Sequence, residues 1–160
     1  MTALTDSGTE APDRVLTITR TFAAPRALVF SVWTKPEHIL RWWGPRGYRL
    51  SHCEMDFRPG GAWRFCMRSA GGEEHWIHGV YHEIVEPERI VFSYVNERGG
   101  FETRVTLLFV ARGNATELRF RQVAFPTVEE RDGHNRGWSS TFELLDEYLA
   151  GLPESVGSGA

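Results

Sequence analysis

Acid–base chemistry in this 160-residue chain would fall first to its six histidines, because imidazole titrates near neutrality. Two of them sit in suggestive company. His134 lies four residues before Trp138, so on a helix the two side chains share one face. His78 alternates with Trp76 and Val80, the spacing of one face of a strand. Either could serve as a general base for a substrate held in an apolar hollow. A structurally satisfied histidine would look the same in sequence, so His134 and His78 stand as candidates and no catalytic residue is assigned. His75 and His78 are three apart, which sends them to opposite faces of a strand, and no Cys/His spacing of the zinc type occurs. No metal and no cofactor are expected. Glu54 and Asp56 could act as an acid and a base, but they alternate with Met55 and Phe57 and read as the solvent side of a sheet. Gly60-Gly61 joins two strands without a following helix, so it is not a phosphate loop.

The second chemically telling set is aromatic. Trp42-Trp43-Gly44-Pro45 displays two of the largest apolar surfaces available side by side. Trp63, Phe65 and Met67 follow on one strand, Phe92 and Tyr94 on another, and Trp138 and Phe142 on a helix. Between them, one strand carries Trp76, His78 and Val80 on one face and Ile77, Gly79 and Tyr81 on the other; both are partly apolar, and the inward face is left open. Large aromatics with few polar groups match the usual lining of a small-molecule pocket. The candidate ligand-binding set is therefore Trp63, Phe65, Met67, Trp76, His78, Tyr81, Phe92, Tyr94, His134, Trp138 and Phe142, with a packed core as the competing reading.

The elements that must position these residues follow from periodicity and punctuation. Residues 14–22 read as a strand. Pro25 opens a short helix with the stripe Leu28, Val29, Val32 and Trp33, and Thr34-Lys35-Pro36-Glu37 predicts a capping box, with Thr34 as cap, for a second helix ending at Gly44-Pro45. From Tyr48 the period becomes two, giving strands at 48–57, 62–69, 74–85, 89–96, 101–111 and 115–124. Their short connections imply an antiparallel meander. A three-residue loop at the first hairpin would set Phe57 opposite Trp63, Met55 opposite Phe65 and Cys53 opposite Met67, gathering six apolar side chains on one face. Cys53 and Cys66 would then point to opposite faces and form no disulfide. Thr127-Val128-Glu129-Glu130 offers a further cap, Gly133 and Gly137 weaken the start of the last helix, and residues 134–150 carry the stripe Trp138, Phe142, Leu145 and Leu149.

One domain over 14–151 with loose tails at 1–13 and 152–160 is the expected organisation. The architecture is α+β, in the order β-α-α-β6-α. A curved seven-stranded antiparallel sheet can cover its apolar face only with the long C-terminal helix. Eighteen basic and twenty-one acidic residues give a net charge of −3 with no basic block, so neither nucleic acid nor an anionic membrane is an expected partner. No leader and no apolar run of membrane-spanning length is present, so a soluble, cytoplasmic protein is expected.

Ala24-Pro25-Arg26, Thr34-x-Pro36-Glu37-His38, Trp42-Trp43-Gly44-Pro45, Asp56-x-Arg58-Pro59-Gly60-Gly61, Pro87-x-Arg89-Ile90 and Gly137-Trp138 resemble marker positions of one family. This is the Hsp90 ATPase activator-like (AHSA1, CalC-type) branch of the START/Bet v 1 (SRPBCC) superfamily, and the likeness covers residues 14–151. It implies a helix-grip fold, and a small hydrophobic, aromatic or polycyclic partner held between sheet and helix by a monomer or homodimer. The family also contains cyclase-like proteins and co-chaperone domains. A cyclase, dehydratase or hydrolase-like step in the same cavity, and a chaperone contact in a stress response, are thus the alternative expectations; fold does not select among them.

Overall fold

The computed structural model describes residues 11–152. Pro12–Arg14 form one 3-10 turn, whose Pro12 carbonyl accepts from Arg131 Nη1 at 3.4 Å. The N-terminal tail expected over 1–13 is thus structured at its end. The rest of that tail and residues 153–160 lie outside the described residues.

The element order is β1 (Leu16–Phe22), α1 (Arg26–Ser31), α2 (Pro36–Trp42), β2 (Tyr48–Met55), β3 (Ala62–Ser69), β4 (Glu74–Val85), β5 (Arg89–Asn96), β6 (Glu102–Arg112), β7 (Ala115–Val123) and α3 (Val128–Ala150). All seven strands form one antiparallel sheet in the order β1-β7-β6-β5-β4-β3-β2. The sheet curls into a half-barrel around α3. Register shifts in the β2–β3 and β4–β5 ladders mark places where a strand bends.

The helical starts differ in detail from the expected caps. Pro25 is the N-cap of α1, its carbonyl accepting from the N–H groups of Leu28 and Val29. For α2 the cap is Lys35, not Thr34. Pro36 takes the first helical position, where its missing N–H costs nothing, and Thr34 Oγ1 instead donates to the Ser31 carbonyl at 2.8 Å. At α3 the expected cap forms: Thr127 Oγ1 accepts from Glu130 N–H at 3.1 Å. The helix then runs 23 residues straight through Gly133 and Gly137, and Trp138, Phe142, Leu145 and Leu149 are all buried.

The first hairpin is out of the expected register by two residues. Met55 pairs with Trp63 and Cys53 with Phe65. The reason lies outside the hairpin: Gly60 N–H donates to the Tyr81 carbonyl (2.7 Å) and Tyr81 N–H to the Gly61 carbonyl (2.8 Å), so the loop already belongs to the β3–β4 ladder. A Cβ on Gly61 would come within 1.9 Å of the Asp56 carbonyl oxygen, which explains the glycine. Because the shift is even, side-chain parity survives. Trp63 and Phe65 are buried, and Cys53, Met55, Phe57 and Met67 pack against the core from the same side. Both cysteines are free thiols, and Cys66, next to Phe65, points the other way.

Pairing also settles which face of β4 looks inward. Ile77 opposes Phe65 and Gly79 opposes Trp63, so 75, 77, 79 and 81 face α3. Gly79 is a point of close approach: a Cβ there would lie 1.8 Å from the Ser93 carbonyl oxygen and 2.7 Å from Trp63 Nε1.

Candidate functional site

Helix α3 meets the sheet tightly along one part of its length and stands off it along another. Where it stands off, a partly open pocket of about 260 Å³ remains. Its helix wall is Glu130, Gly133, His134, Gly137, Trp138 and Thr141, a single stripe at helical spacing. The facing wall is Trp43, Gly44 and Pro45, with Tyr48 from β2, Met67 from β3, His75 from β4, and Tyr94 and Asn96 from β5. Gly137 opens the helix side, since a Cβ there would meet nothing within 4 Å. Gly44, at φ +107°, lets the chain turn after the tandem tryptophans; its missing side chain leaves Tyr48 and Met67 at the wall.

Trp43 is the floor. Its ring packs against Phe65 at 5.0 Å, Trp138 at 5.2 Å, Trp33 at 5.9 Å and Trp63 at 6.2 Å. Below it Trp33, Trp63, Phe65, Tyr81 and Phe92 enclose a void of only about 10 Å³. Both readings of the aromatic set are therefore realised, on opposite sides of one indole.

Of the candidates from sequence, Met67, Tyr94, His134 and Trp138 line the pocket. Trp63, Phe65, Tyr81 and Phe92 do not; they are core beneath Trp43. Phe142 is fully buried against Phe22, Phe120 and Trp33. Trp76 and His78 lie on the opposite face of the sheet. Trp76 carries the Arg64 guanidinium 4.0 Å from its ring centroid. His78 Nδ1 is 2.8 Å from Glu97 Oε2, a carboxylate that also accepts from Arg64 at 2.8 and 3.0 Å. Residues from both faces of β4 stood in the candidate set because its mixed polarity leaves alternation alone unable to orient it. The candidate set did not include Gly44, Pro45, Tyr48, His75, Asn96, Glu130, Gly133, Gly137 and Thr141, nor Trp43, whose tandem with Trp42 was singled out without a place in the pocket. A usable signal existed in α3: two glycines one turn apart, each preceding a pocket residue, mark a helix face kept bare.

A buried polar relay fixes the pocket's back wall. Trp138 Nε1–H donates to Gln122 Oε1 at 3.0 Å, Gln122 Nε2–H to Thr103 Oγ1 at 2.8 Å, and Thr103 Oγ1–H to the Tyr94 carbonyl at 3.0 Å. Gln122 and Thr103 occupy inward positions of β7 and β6, beside the apolar Phe120 and Val105, and are 0% and 1% exposed. One chain of hydrogen bonds thus joins α3, β7, β6 and β5, and holds the Trp138 indole and the strand carrying Tyr94 in place.

His134 is oriented just as firmly. Its Nδ1 lies 2.9 Å from the Glu130 carbonyl oxygen. A carbonyl only accepts, so Nδ1 carries the proton and Nε2 keeps a free lone pair in the neutral ring. Burial among Tyr94, Phe101 and Phe125 pushes the His134 pKa down from its ordinary value of 6.5, favouring that neutral form. Burial pushes the Tyr94 phenol up, and among the described residues the hydrogen bond it makes outside the strand ladder uses its backbone carbonyl rather than its hydroxyl. The pocket thus presents a neutral acceptor and a neutral donor in an aromatic frame. No arginine or lysine is among its lining residues. The same residues include no cluster of three or more metal-ligating side chains among those described.

A half-barrel of seven antiparallel strands gripping a long C-terminal helix, with a pocket between them, defines the class: this is a helix-grip protein of the START/Bet v 1 type. The chain belongs to the family described as activator of Hsp90 ATPase homolog 1-like protein, whose profile matches residues 23–150. No curated protein sequence matches it. Among solved structures, it is similar to a protein of Rhodobacter sphaeroides (25% identity, 88% of this chain and 95% of that one, TM-score 0.77). It also resembles the AHSA1 protein of Silicibacter pomeroyi (23% identity, 85% and 97%, TM-score 0.76) and CalU16 of Micromonospora echinospora (22% identity, 90% and 83%, TM-score 0.67). The last two likenesses speak for the fold alone. No helix among the described residues is long and apolar enough to cross a membrane.

Proposed function

We propose that this protein binds a compact hydrophobic, ring-containing molecule between the bare face of α3 and the wall formed by Trp43, Met67 and Tyr94. The observation that carries the reading is the coincidence of a helix face lacking side chains at Gly133 and Gly137 with an aromatic wall opposite it. A ring system burying roughly 150–250 Å² would gain about 4–6 kcal/mol at about 25 cal/mol per Å², before ordering costs. That corresponds to dissociation constants of roughly millimolar down to tens of micromolar, and polar contacts would tighten them.

The test is a tryptophan-fluorescence titration and thermal-shift screen over aromatic and polycyclic compounds, with Gly137→Leu as the blocked variant. A leucine there would extend into open space, so the fold should survive while the pocket fills. Binding by the parent and its loss in Gly137→Leu are expected. Equal binding by both proteins, or no response to any compound, would sink the proposal.

A second reading is supported by the His134 tautomer, whose free Nε2 is placed to take a proton from a bound substrate. Consumption of a bound compound by the parent and not by His134→Gln would establish turnover; its persistence unchanged over many protein equivalents would leave binding alone.

A further inference from the structure

We infer that the pocket selects ligands bearing a neutral hydroxyl, a phenol or a ring alcohol, which donates to His134 Nε2 and accepts from the Tyr94 hydroxyl. This rests on the ligand-binding reading above and specifies what that ligand must carry. A hydroxyl offers one proton and oxygen lone pairs, so it needs one acceptor and one donor in the same corner. The pocket supplies that complement. The His134 and Tyr94 rings meet nearly perpendicular, at 79°, with centroids 5.6 Å apart, and both line the pocket, so the two side chains form one corner of its wall. His134 cannot turn its acceptor away without giving up the Nδ1–H bond to the Glu130 carbonyl. Among the described residues the hydrogen bond that Tyr94 makes outside the strand ladder is through its backbone carbonyl, which accepts from Thr103 Oγ1, and leaves its hydroxyl uncommitted. Thr141 does not compete, because its hydroxyl is spent on the Gly137 carbonyl at 2.9 Å.

Other ligand chemistries fit less well. A ketone or ether would use the Tyr94 donor but set its lone pairs against the Nε2 lone pair. A carboxylate or phosphate would enter a pocket with no arginine or lysine in its wall and with Glu130 on it, and a buried unpaired anion is costly. The other titratable groups on the wall are Tyr48 and His75, and His75 already faces Glu73 Oε2 at 3.5 Å. Neither offers an anion a fixed positive partner.

The experiment titrates 2-naphthol, 2-methoxynaphthalene, naphthalene and 2-naphthoate into the parent protein, His134→Phe and Tyr94→Phe. Thermal melting of each variant confirms that it is folded. In the parent, 2-naphthol should bind roughly tenfold more tightly than 2-methoxynaphthalene, the worth of the one hydrogen bond to His134 Nε2 that the ether cannot make, and 2-naphthoate should bind weakest. His134→Phe should bring the naphthol-to-methoxynaphthalene ratio towards one through loss of naphthol affinity, and Tyr94→Phe, which removes the donor that both compounds use, should weaken both. A parent ratio near one, with both compounds bound, overturns hydroxyl selection while leaving the pocket as a binding site. A preference that persists in His134→Phe, or a Tyr94→Phe variant that binds both compounds as tightly as the parent, also overturns it, by placing the discrimination elsewhere. No binding of any of the four removes the ligand-binding reading together with this inference.

Discussion

Replacing Gln122 with leucine tests whether the buried relay behind the pocket holds the structure as its geometry indicates. Leucine keeps an inward apolar shape close in size but removes both the acceptor for Trp138 Nε1–H and the donor to Thr103 Oγ1. Thr103 still has the Tyr94 carbonyl to donate to, so its loss is small. The Trp138 indole N–H, on a residue 5% exposed, is left with no partner. An orphaned buried donor costs about 1–3 kcal/mol, and the lost bond to Thr103 adds roughly 0.5–1 kcal/mol, so destabilisation of about 1.5–4 kcal/mol is expected. Urea unfolding followed by circular dichroism would read this as a fall in midpoint at constant slope. The decisive comparison is a double-mutant cycle with Trp138→Phe. Phenylalanine has no N–H to orphan, so Gln122→Leu should cost at least about 1 kcal/mol less in that background. Equal costs in the two backgrounds would refute the relay.

Two further outcomes follow from the packing and the charges. Gly79→Ala should destabilise by roughly 3 kcal/mol or more, because its Cβ would overlap the Ser93 carbonyl oxygen on the neighbouring strand; a urea midpoint matching the parent would contradict the close approach. For pH, burial lowers the His134 and His38 pKa values below their ordinary 6.5. Below pH 6.5 the unfolded chain therefore takes up protons that the folded one resists, and stability falls from its plateau as acid is added. Glu97, held at about 2 by Arg64 and His78, adds a loss only below its ordinary 4.5, and its surface position keeps that small. Urea midpoints should be flat between pH 7 and 8 and decline between 6.5 and 5, with His134→Gln flattening part of the decline. A midpoint that rises on acidification over this range would refute the assignment.

Local chemistry was readable wherever it depended on near neighbours. The bounds of β3, β4 and β5 and the buried stripe of α3 follow from alternation, turn residues and helical spacing, because a period forces side chains to one side whatever packs there. The cap of α2 was misplaced because Thr34 finds its partner in the preceding helix. The β2–β3 register was misplaced because Gly60 and Gly61 pair with Tyr81, on a strand that a two-strand argument leaves out. Gln122 and Thr103 stand in plain view as polar residues at apolar positions, yet nothing local says that one serves Trp138 and the other Tyr94.

The amino-acid sequence by itself determined which side chains share a face, how many strands there are, and that one long helix must cover them. Tertiary structure alone decided which rings interlock and which stand apart. The gap between α3 and the sheet is set by contacts between residues far apart in the chain: Arg46 N–H on Ser140 Oγ at 2.9 Å, His38 against the Tyr148 hydroxyl at 2.8 Å, and Trp138 on Gln122. Periodicity fixes direction but not distance, and a pocket is a matter of distance.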